Sequence, residues 1–174
     1  MTGVQTCALP ISFIAIPLPV SPVPIVLQTM FILLSALVLG PWWGSLSTIL
    51  YLALGLFGLP VFSGGTGGPV VFLGPTGGYL LGYIPCSLVT GLLSRKAKGK
   101  KLILAAACLA GMIPIYALGV LRLKAVLGSG WERALAAGLL PFLPGDFVKV
   151  LLAVLLAPKL SAGIAALTGE YRHG

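Results

Sequence analysis

The chain has 174 residues, of which 58% are hydrophobic and only 8% are charged, and its mean hydropathy is +1.10. Soluble domains carry about 25% charged residues, so this composition excludes an ordinary water-soluble domain and indicates a membrane protein. The long unbroken apolar runs favour helices over the alternating strands of a membrane barrel, which predicts an all-α integral membrane bundle. The net charge of +8 does not indicate a nucleic-acid surface, because its densest part is one basic stretch without interleaved aromatic residues.

Residues 1–12 read MTGVQTCALPIS and place Thr, Gln, Ser and Pro where an apolar first helix would lie. A signal peptide would begin with basic residues, and none precedes Arg95. The stretch resembles translated sequencing-adapter sequence, and we interpret it as a non-native segment that replaces a native first helix. The alternative is a short, poorly packed first helix. Residues 13–167 are then a single membrane-embedded domain, and residues 168–174 are a cytoplasmic tail.

Five apolar segments follow, each bounded by Gly or Pro or by the basic stretch, at about 25–40, 44–59, 78–93, 102–123 and 145–167. Several of them contain only about 16 apolar residues, whereas about 20 are needed to cross the hydrocarbon of a bilayer. Such short spans predict that the connecting loops dip into the membrane, where transporters place their binding sites.

The orientation follows from the basic stretch between the third and fourth segments, which contains Arg95, Lys96, Lys98, Lys100 and Lys101. The positive-inside rule predicts that this stretch is cytoplasmic. Three connections rich in Pro and Gly then gather on the outer face, at residues 16–27, 60–77 and 128–144. Arg122 and Lys124 fall near the outer end of the fourth segment, against the rule, and we expect their side chains to extend to the interface.

Asp146 is the acidic residue that stands out, because it opens the last helix in the sequence PGDFVK, with Lys149 three residues later. This spacing places both side chains on one face of a helix. Ionisable groups inside a membrane usually face a cavity and each other, since a charge at mid-bilayer costs about 2.5–3.5 kcal/mol. The pair indicates a binding site; the alternative is a carboxylate favoured by the helix dipole, with a lysine partner.

Other candidate sites are weak. The stretches SGGTGG and GPTGG, at residues 63–68 and 74–78, have the composition of a phosphate-binding loop but not the GxxxxGK[ST] spacing. We expect their glycines to let the backbone approach a ligand or a helix closely. Cys86 and Cys108 lie in apolar runs and form no CxxC pair, so we predict neither a disulfide nor a metal site. The single histidine, His173, is in the tail, which leaves no His-based triad.

A series of motifs along residues 13–159 strongly resembles the BioY family, the biotin-specific S components of energy-coupling factor (ECF) transporters. In chain order they are PVPIVLQTMFILLSALVLGP, GLFGLPVFSGG, LGPTGGYLLGY, YALGV and LLPFLPGDFVK. The resemblance implies a bundle of six transmembrane helices that binds biotin near the extracellular side, beneath loops. It implies as partners a transmembrane coupling subunit and its pair of ATPases, in the plasma membrane of a prokaryote. It implies no cofactor and no catalytic residue.

The resemblance also implies the residues that bind biotin. Asp146 and Lys149 fill the acid and base of GDxxK, and Gln28 fills the glutamine of PVPIxLQ. Thr66 stands between two Gly-Gly pairs, where some relatives have Asn, and Tyr79 fills the aromatic position of GPTGGYL. One departure is the missing first helix, whose small residues pack against the coupling subunit in the family.

Three alternatives remain at this stage. An S component for another small vitamin would share the bundle but not the ligand, and a panel of vitamins would separate the two. A membrane-embedded enzyme could use Asp146 and Lys149 as acid and base, although no nucleophile or metal accompanies them; it would turn its ligand over. A purely structural bundle would bind nothing.

Overall fold

The structure is a computed structural model that describes residues 15–18, 21–97, 99–128 and 130–168, with side chains described between residues 27 and 163. Residues 1–12, which we interpret as non-native, and 169–174 of the predicted tail lie outside the described residues. The described backbone is a bundle of helices with one short β-ribbon, which confirms the predicted all-α class. In chain order the elements are β1 (Ala15–Leu18), β2 (Ser21–Val26), α1 (Gln28–Leu56), α2 (Pro69–Leu73), α3 (Gly77–Ser94), α4 (Lys101–Leu127), α5 (Trp131–Gly138) and α6 (Leu143–Thr168).

Helix α1 is two helices joined by a reversal at Gly40. The φ of Gly40 is 81° and its ψ is −177°, a conformation outside the helical region that glycine adopts without strain. Beyond the reversal, a Cβ added to Gly44 would lie 2.9 Å from the Cα of Ala36, so the two halves run antiparallel and in close contact. The predicted break at Gly40-Pro41 is confirmed.

Three helices in the described residues are long and apolar enough to cross a membrane, namely α1, α3 and α4. Helix α5 and residues Leu143–Gly163 of α6, which are bent by 43° at their junction, together make a possible fourth span. Because α1 is folded back on itself, each of its halves is shorter than the roughly 20 residues of an ordinary span, as the short apolar segments predict.

Helices α3 and α4 form the closest interface of the bundle, and glycines make it possible. A Cβ added to Gly82 of α3 would lie 2.6 Å from the Cα of Ile115, and one added to Gly111 of α4 would lie 1.9 Å from Oγ1 of Thr90. Lipid tails are as apolar as leucine side chains, so helices in a membrane associate through close packing at small residues. Helix α3 also packs against α1, whereas α6 packs mainly against α1 and touches α4 much less.

The alternation of helix directions gathers the three Pro- and Gly-rich connections at one end of the bundle, which we call the site end. Gln28 at the start of α1 reaches Tyr51 of the second half, across the reversal. At the opposite end, a Cβ added to Gly91 of α3 would lie 2.5 Å from the Cα of Pro41, so the α1 reversal and the basic stretch after α3 share that end.

Three connections that the sequence predicts as loops contain further structure. Residues 15–18 and 21–26 form an antiparallel ribbon with Ala15 opposite Val26 and Leu18 opposite Ser21. Prolines argue against a central strand, but the outer positions of a two-stranded ribbon tolerate them. Helices α2 and α5 have 5 and 8 residues, too short for an apolar period to reveal them in the sequence.

Candidate functional site

A buried ion pair lies at the site end of α6. Asp146 is in the first turn of the helix and Lys149 is one turn further, and their exposed fractions are 7% and 4%. Nζ of Lys149 donates a hydrogen bond to Oδ1 of Asp146 over 2.8 Å. The predicted shared helical face of the two residues is confirmed.

Tyr116 of α4 completes this cluster. Its hydroxyl donates a hydrogen bond to Oδ2 of Asp146, so each carboxylate oxygen has one partner. Each oxygen of an ionised carboxylate has more than one lone pair, so the acid keeps acceptor capacity for a ligand N–H. Sequence reasoning did not name Tyr116 as a site residue, although it belongs to the YALGV motif; its only signal was a polar hydroxyl in a strongly apolar span.

Gln28 is buried at the start of α1, where its side-chain amide donates to the hydroxyl of Tyr51. That hydroxyl in turn donates to the carbonyl oxygen of Val61 over 2.7 Å. Gln28 therefore belongs to a chain of hydrogen bonds that ties the beginning of α1 to its end and to the loop that follows.

Thr66 lies in that loop and is exposed; its Oγ1 donates to the carbonyl oxygen of Ser63 over 2.9 Å. The loop is anchored by Phe62, which is only 1% exposed and whose backbone N–H donates to the carbonyl oxygen of Thr66 over 3.0 Å. The Phe62 ring meets the rings of Tyr51 and Phe72 edge to face, at centroid distances of 5.7 and 5.5 Å. These contacts hold the glycine-rich loop over the site end.

Tyr79 lies in the first turn of α3 and is buried. Its hydroxyl donates to the carbonyl oxygen of Gly138 over 2.8 Å, and its ring fills the space beside Gly119 of α4. The ring of Phe142 lies 6.4 Å away between centroids. Tyr79 thus connects α3 to α4 and to the end of α5, and its hydroxyl already has a protein partner.

The structure places all five predicted site residues in the half of the bundle that carries the site end, Lys149 one turn below Asp146. Within the residues whose side chains are described, the hydrogen bond between Asp146 and Lys149 is the only one that joins two of the five. The same part of the chain contains no group of three or more His, Cys, Asp or Glu residues that could hold a metal ion. The site thus offers a carboxylate, an ammonium group and a hydroxyl, surrounded by apolar side chains. This combination suits a small ligand that has a polar group at one end and is otherwise apolar.

Asp146 and Tyr116 also face a cavity of about 710 Å³ between α4, α5 and α6, which we call the lateral groove. The rest of its lining is apolar, from residues such as Met112, Val120 and Leu135. One side of the polar cluster is therefore open towards the space between α4 and α6.

Comparison with known proteins identifies the relatives of this chain. The profile of the BioY family matches residues 3–166. Biotin transporter BioY of Rhodobacter capsulatus is 42% identical over 158 aligned residues, covering 84% of this chain and 83% of the relative. Biotin transporter BioY of Thermotoga maritima is 43% identical over 145 aligned residues, covering 83% of this chain and 85% of the relative.

A solved structure has the same fold. The crystal structure of the S component for biotin from an ECF-type ABC transporter superposes with a TM-score of 0.85 and 32% sequence identity. The superposition covers 91% of this chain and 86% of the solved one. These matches confirm the resemblance inferred from the motifs.

Proposed function

The chain belongs to the BioY family, and we propose that it is the biotin-binding membrane subunit of an ECF-type vitamin uptake transporter. The observation that carries the proposal is the buried cluster of Asp146, Lys149 and Tyr116 at the site end of the bundle. Because the family consists of transporter subunits, we assign these residues to ligand binding. The chain is not an enzyme.

The chemistry of the cluster suits biotin. The ureido ring of biotin offers two N–H donors and one carbonyl acceptor, and its valerate chain ends in a carboxylate. Asp146 accepts an ureido N–H, while Lys149 donates to the carbonyl or to the carboxylate. Such charge-assisted hydrogen bonds contribute about 1.5–3 kcal/mol each in a site shielded from water. Gln28, Thr66 and Tyr79 complete the proposed site, with aromatic and apolar walls around the ring and the tail. No cofactor takes part.

Calorimetry of the purified protein with biotin tests the proposal, with riboflavin and thiamine as control ligands. We expect heat and saturable binding with biotin alone, and recovery of unchanged biotin by mass spectrometry. Binding of another vitamin in place of biotin would support the alternative of an S component with a different ligand. A chemically altered ligand would support the enzyme alternative.

The proposed orientation puts the basic stretch 95–101 and the C-terminus in the cytoplasm, and the glycine-rich loop outside. Two features at the basic end support it. Arg95, Lys96 and Lys100 are exposed there, and Trp42 and Trp43 beside the α1 reversal are 68% and 69% exposed, as interfacial anchors are. Single cysteines are introduced at Lys98 and at Thr66 in a cysteine-free background, and intact cells are treated with an impermeant maleimide. The cysteine at position 66 should be labelled and the one at position 98 should not. Labelling of position 98 from outside would reverse the topology.

The proposed partners are the transmembrane coupling subunit and its two ATPases in a prokaryotic plasma membrane. Docking to them involves the first helix in this family, and we interpret residues 1–12 as a replacement for it. Restoring an apolar helix upstream of Phe13, taken from a relative, should increase expression and co-purification with the coupling subunit. Equal assembly by the present chain would contradict this interpretation.

A further inference from the structure

We propose that the lateral groove is a binding site for an anionic phospholipid, whose acyl chain lies between α4 and α6 and whose headgroup meets Lys124. This site borders the proposed biotin site at Asp146 and Tyr116, which line the groove, and its existence does not depend on the identity of the vitamin. The argument rests on the length of the groove, its apolar lining and the position of a cation at one end.

The length of the groove matches one leaflet of a bilayer. Its lining on α4 extends from Leu109 to Val120. At about 1.5 Å per residue this is roughly 16 Å. The hydrocarbon core of a bilayer is about 30 Å thick, so one leaflet contributes about 15 Å. The groove is therefore long enough for the acyl chain of one phospholipid and does not extend through both leaflets.

The lining of the groove favours hydrocarbon as its occupant. Ile113 of α4 is 66% exposed and Phe147 of α6 is 68% exposed, so other described residues leave these large apolar side chains uncovered. Apart from Asp146, Tyr116 and the indole of Trp131 the lining is apolar, so most of the groove offers water few polar partners. An acyl chain fills the space and would also cover the open side of Asp146 and Tyr116.

A cation marks the headgroup end. Lys124 lies one helical turn beyond Val120, and its Nζ is 3.8 Å from the ring centroid of Trp131, which itself lines the groove. The ammonium group is thus held against Trp131, at the end of α4 towards which the groove runs. Glu132, the next residue of α5, makes no ion pair with it among the described side chains.

Charge complementarity selects an anionic headgroup. The end of α4 and the start of α5 contain three basic residues, Arg122, Lys124 and Arg133, against the single acid Glu132. The guanidinium of Arg122 donates to the carbonyl oxygen of Leu73, on the α2 side, whereas Nζ of Lys124 lies over the ring of Trp131, which lines the groove. Basic residues at this end run against the positive-inside rule if the proposed topology holds, and a bound anionic lipid supplies their counter-charge.

Tryptophan fluorescence tests the site directly, because the chain has only three tryptophans. The double variant Trp42→Phe/Trp43→Phe leaves Trp131, in the groove, as the sole reporter. It is reconstituted in phosphatidylcholine nanodiscs that contain increasing fractions of brominated phosphatidylglycerol or brominated phosphatidylcholine, each normalised to the unbrominated lipid. We expect half-maximal quenching at an about fivefold lower fraction of phosphatidylglycerol, which corresponds to about 1 kcal/mol for one basic residue near the headgroups.

Three further variants, each made in the same background, sharpen the test. Lys124→Gln should remove the preference for phosphatidylglycerol, and Glu132→Gln should increase it. Ala117→Phe, which places a ring in the groove from an exposed position, should reduce quenching by both lipids. Lys100→Gln, at the opposite end of α4, is the matched control and should change nothing.

Two results would overturn the proposal. Equal quenching by the two lipids, with no effect of Lys124→Gln, would show that the groove does not select a headgroup. Absence of quenching by either lipid would show that protein, such as a second copy of the chain, covers Trp131.

Discussion

Helix α4 presents two faces that are built in opposite ways. Its face towards α3 contains Gly111 and Gly119. Oγ1 of Thr90 fills the space beside Gly111, and the ring of Tyr79 fills the space beside Gly119. Its face towards α6 makes few contacts and meets that helix through the hydrogen bond between Tyr116 and Asp146, beside the lateral groove. One face is closely packed, and the other borders an open groove whose lining is apolar except at Asp146 and Tyr116.

The difference separates the stability of the bundle from its proposed function. In lipid the hydrophobic effect does not drive helices together, so close packing at small residues is what holds α3 against α4. Hydrogen bonds between membrane helices contribute only about 0.6 kcal/mol on average, so the contact between α4 and α6 is weak enough to rearrange around a ligand. We therefore expect mutations on the α3 face to affect folding, and mutations on the α6 face to affect binding.

The largest expected effect is that of Gly82→Leu on the closely packed face. A Cβ at this position would lie 2.6 Å from the backbone of Ile115, and backbone atoms cannot move aside as a flexible side chain does. Overpacking a core costs about 1–3 kcal/mol or more, and here it separates two helices. We expect little monodisperse protein in size-exclusion chromatography.

Gly163→Ala is the matched control, since it changes a helical glycine with no atom within 4 Å of the added Cβ. It should leave Tm unchanged or raise it slightly, because alanine favours the helix by about 1 kcal/mol relative to glycine. A Gly82→Leu variant that folded with the same Tm as the parent would contradict the assignment of stability to this face.

The next effect is that of Asp146→Asn on biotin affinity. The amide keeps the shape of the side chain but replaces an acceptor by a partial donor, which mismatches an ureido N–H. At about 1.5–3 kcal/mol for the lost charge-assisted bond, Kd should rise roughly tenfold to a hundredfold. Calorimetry on purified variants measures this change, together with Tm for stability.

The double variant Asp146→Asn/Lys149→Gln separates binding from stability. Asp146→Asn alone leaves Lys149 buried without its counter-charge, which lowers stability whatever the role of the pair. Removing both charges relieves that penalty, so Tm should return towards the value of the parent while biotin binding stays weak. If the double variant bound biotin as the parent does, the ion pair would be structural and the acid would lie outside the site.

The helices were predictable from the sequence because each apolar run ends at a Gly, at a Pro or at the basic stretch. The reversal at Gly40 is the clearest example, since Gly40-Pro41 interrupts an otherwise continuous run. Helix α5 was not predictable, because WERALAAG mixes charged and small residues over only 8 positions. The ribbon of strands β1 and β2 was not predictable either, because its prolines suggest a loop.

The site was predictable in part. Asp146 and Lys149 could be paired from their spacing alone, because both lie on one helix. Asp146 is hydrogen-bonded to Tyr116, which is 30 positions away in the chain, and Gln28 to Tyr51, which is 23 positions away. Only the packing of the helices brings these partners together. Sequence spacing carries no information about such contacts. The roles of all five residues, Asp146, Lys149, Gln28, Thr66 and Tyr79, in binding biotin stay predictions.

A smaller effect is expected for Tyr116→Phe on the open face of α4. The change removes the hydroxyl that donates to Oδ2 of Asp146 and keeps the aromatic ring. The loss of one hydrogen bond of about 0.5–1.5 kcal/mol should change Kd by about twofold to tenfold, because the carboxylate is less firmly oriented towards the ligand. Ile115→Val, on the neighbouring position facing α3, is the control and should alter Tm but not Kd. Full affinity in Tyr116→Phe would mean that Lys149 alone orients the acid.

The smallest effect on binding is expected for Tyr79→Phe. The hydroxyl of Tyr79 donates to the carbonyl oxygen of Gly138 and so holds the end of α5, while the ring fills the space beside Gly119. Phenylalanine keeps the ring and loses only that bond, so Tm should fall by an amount that reflects about 0.5–1.5 kcal/mol of stability. The Kd for biotin should change by no more than about twofold, which is well short of the tenfold change that 1.4 kcal/mol would produce. A tenfold loss of affinity at unchanged Tm would instead show that the hydroxyl exchanges Gly138 for the ligand, and Tyr79 would then bind biotin through its oxygen and not only through its ring.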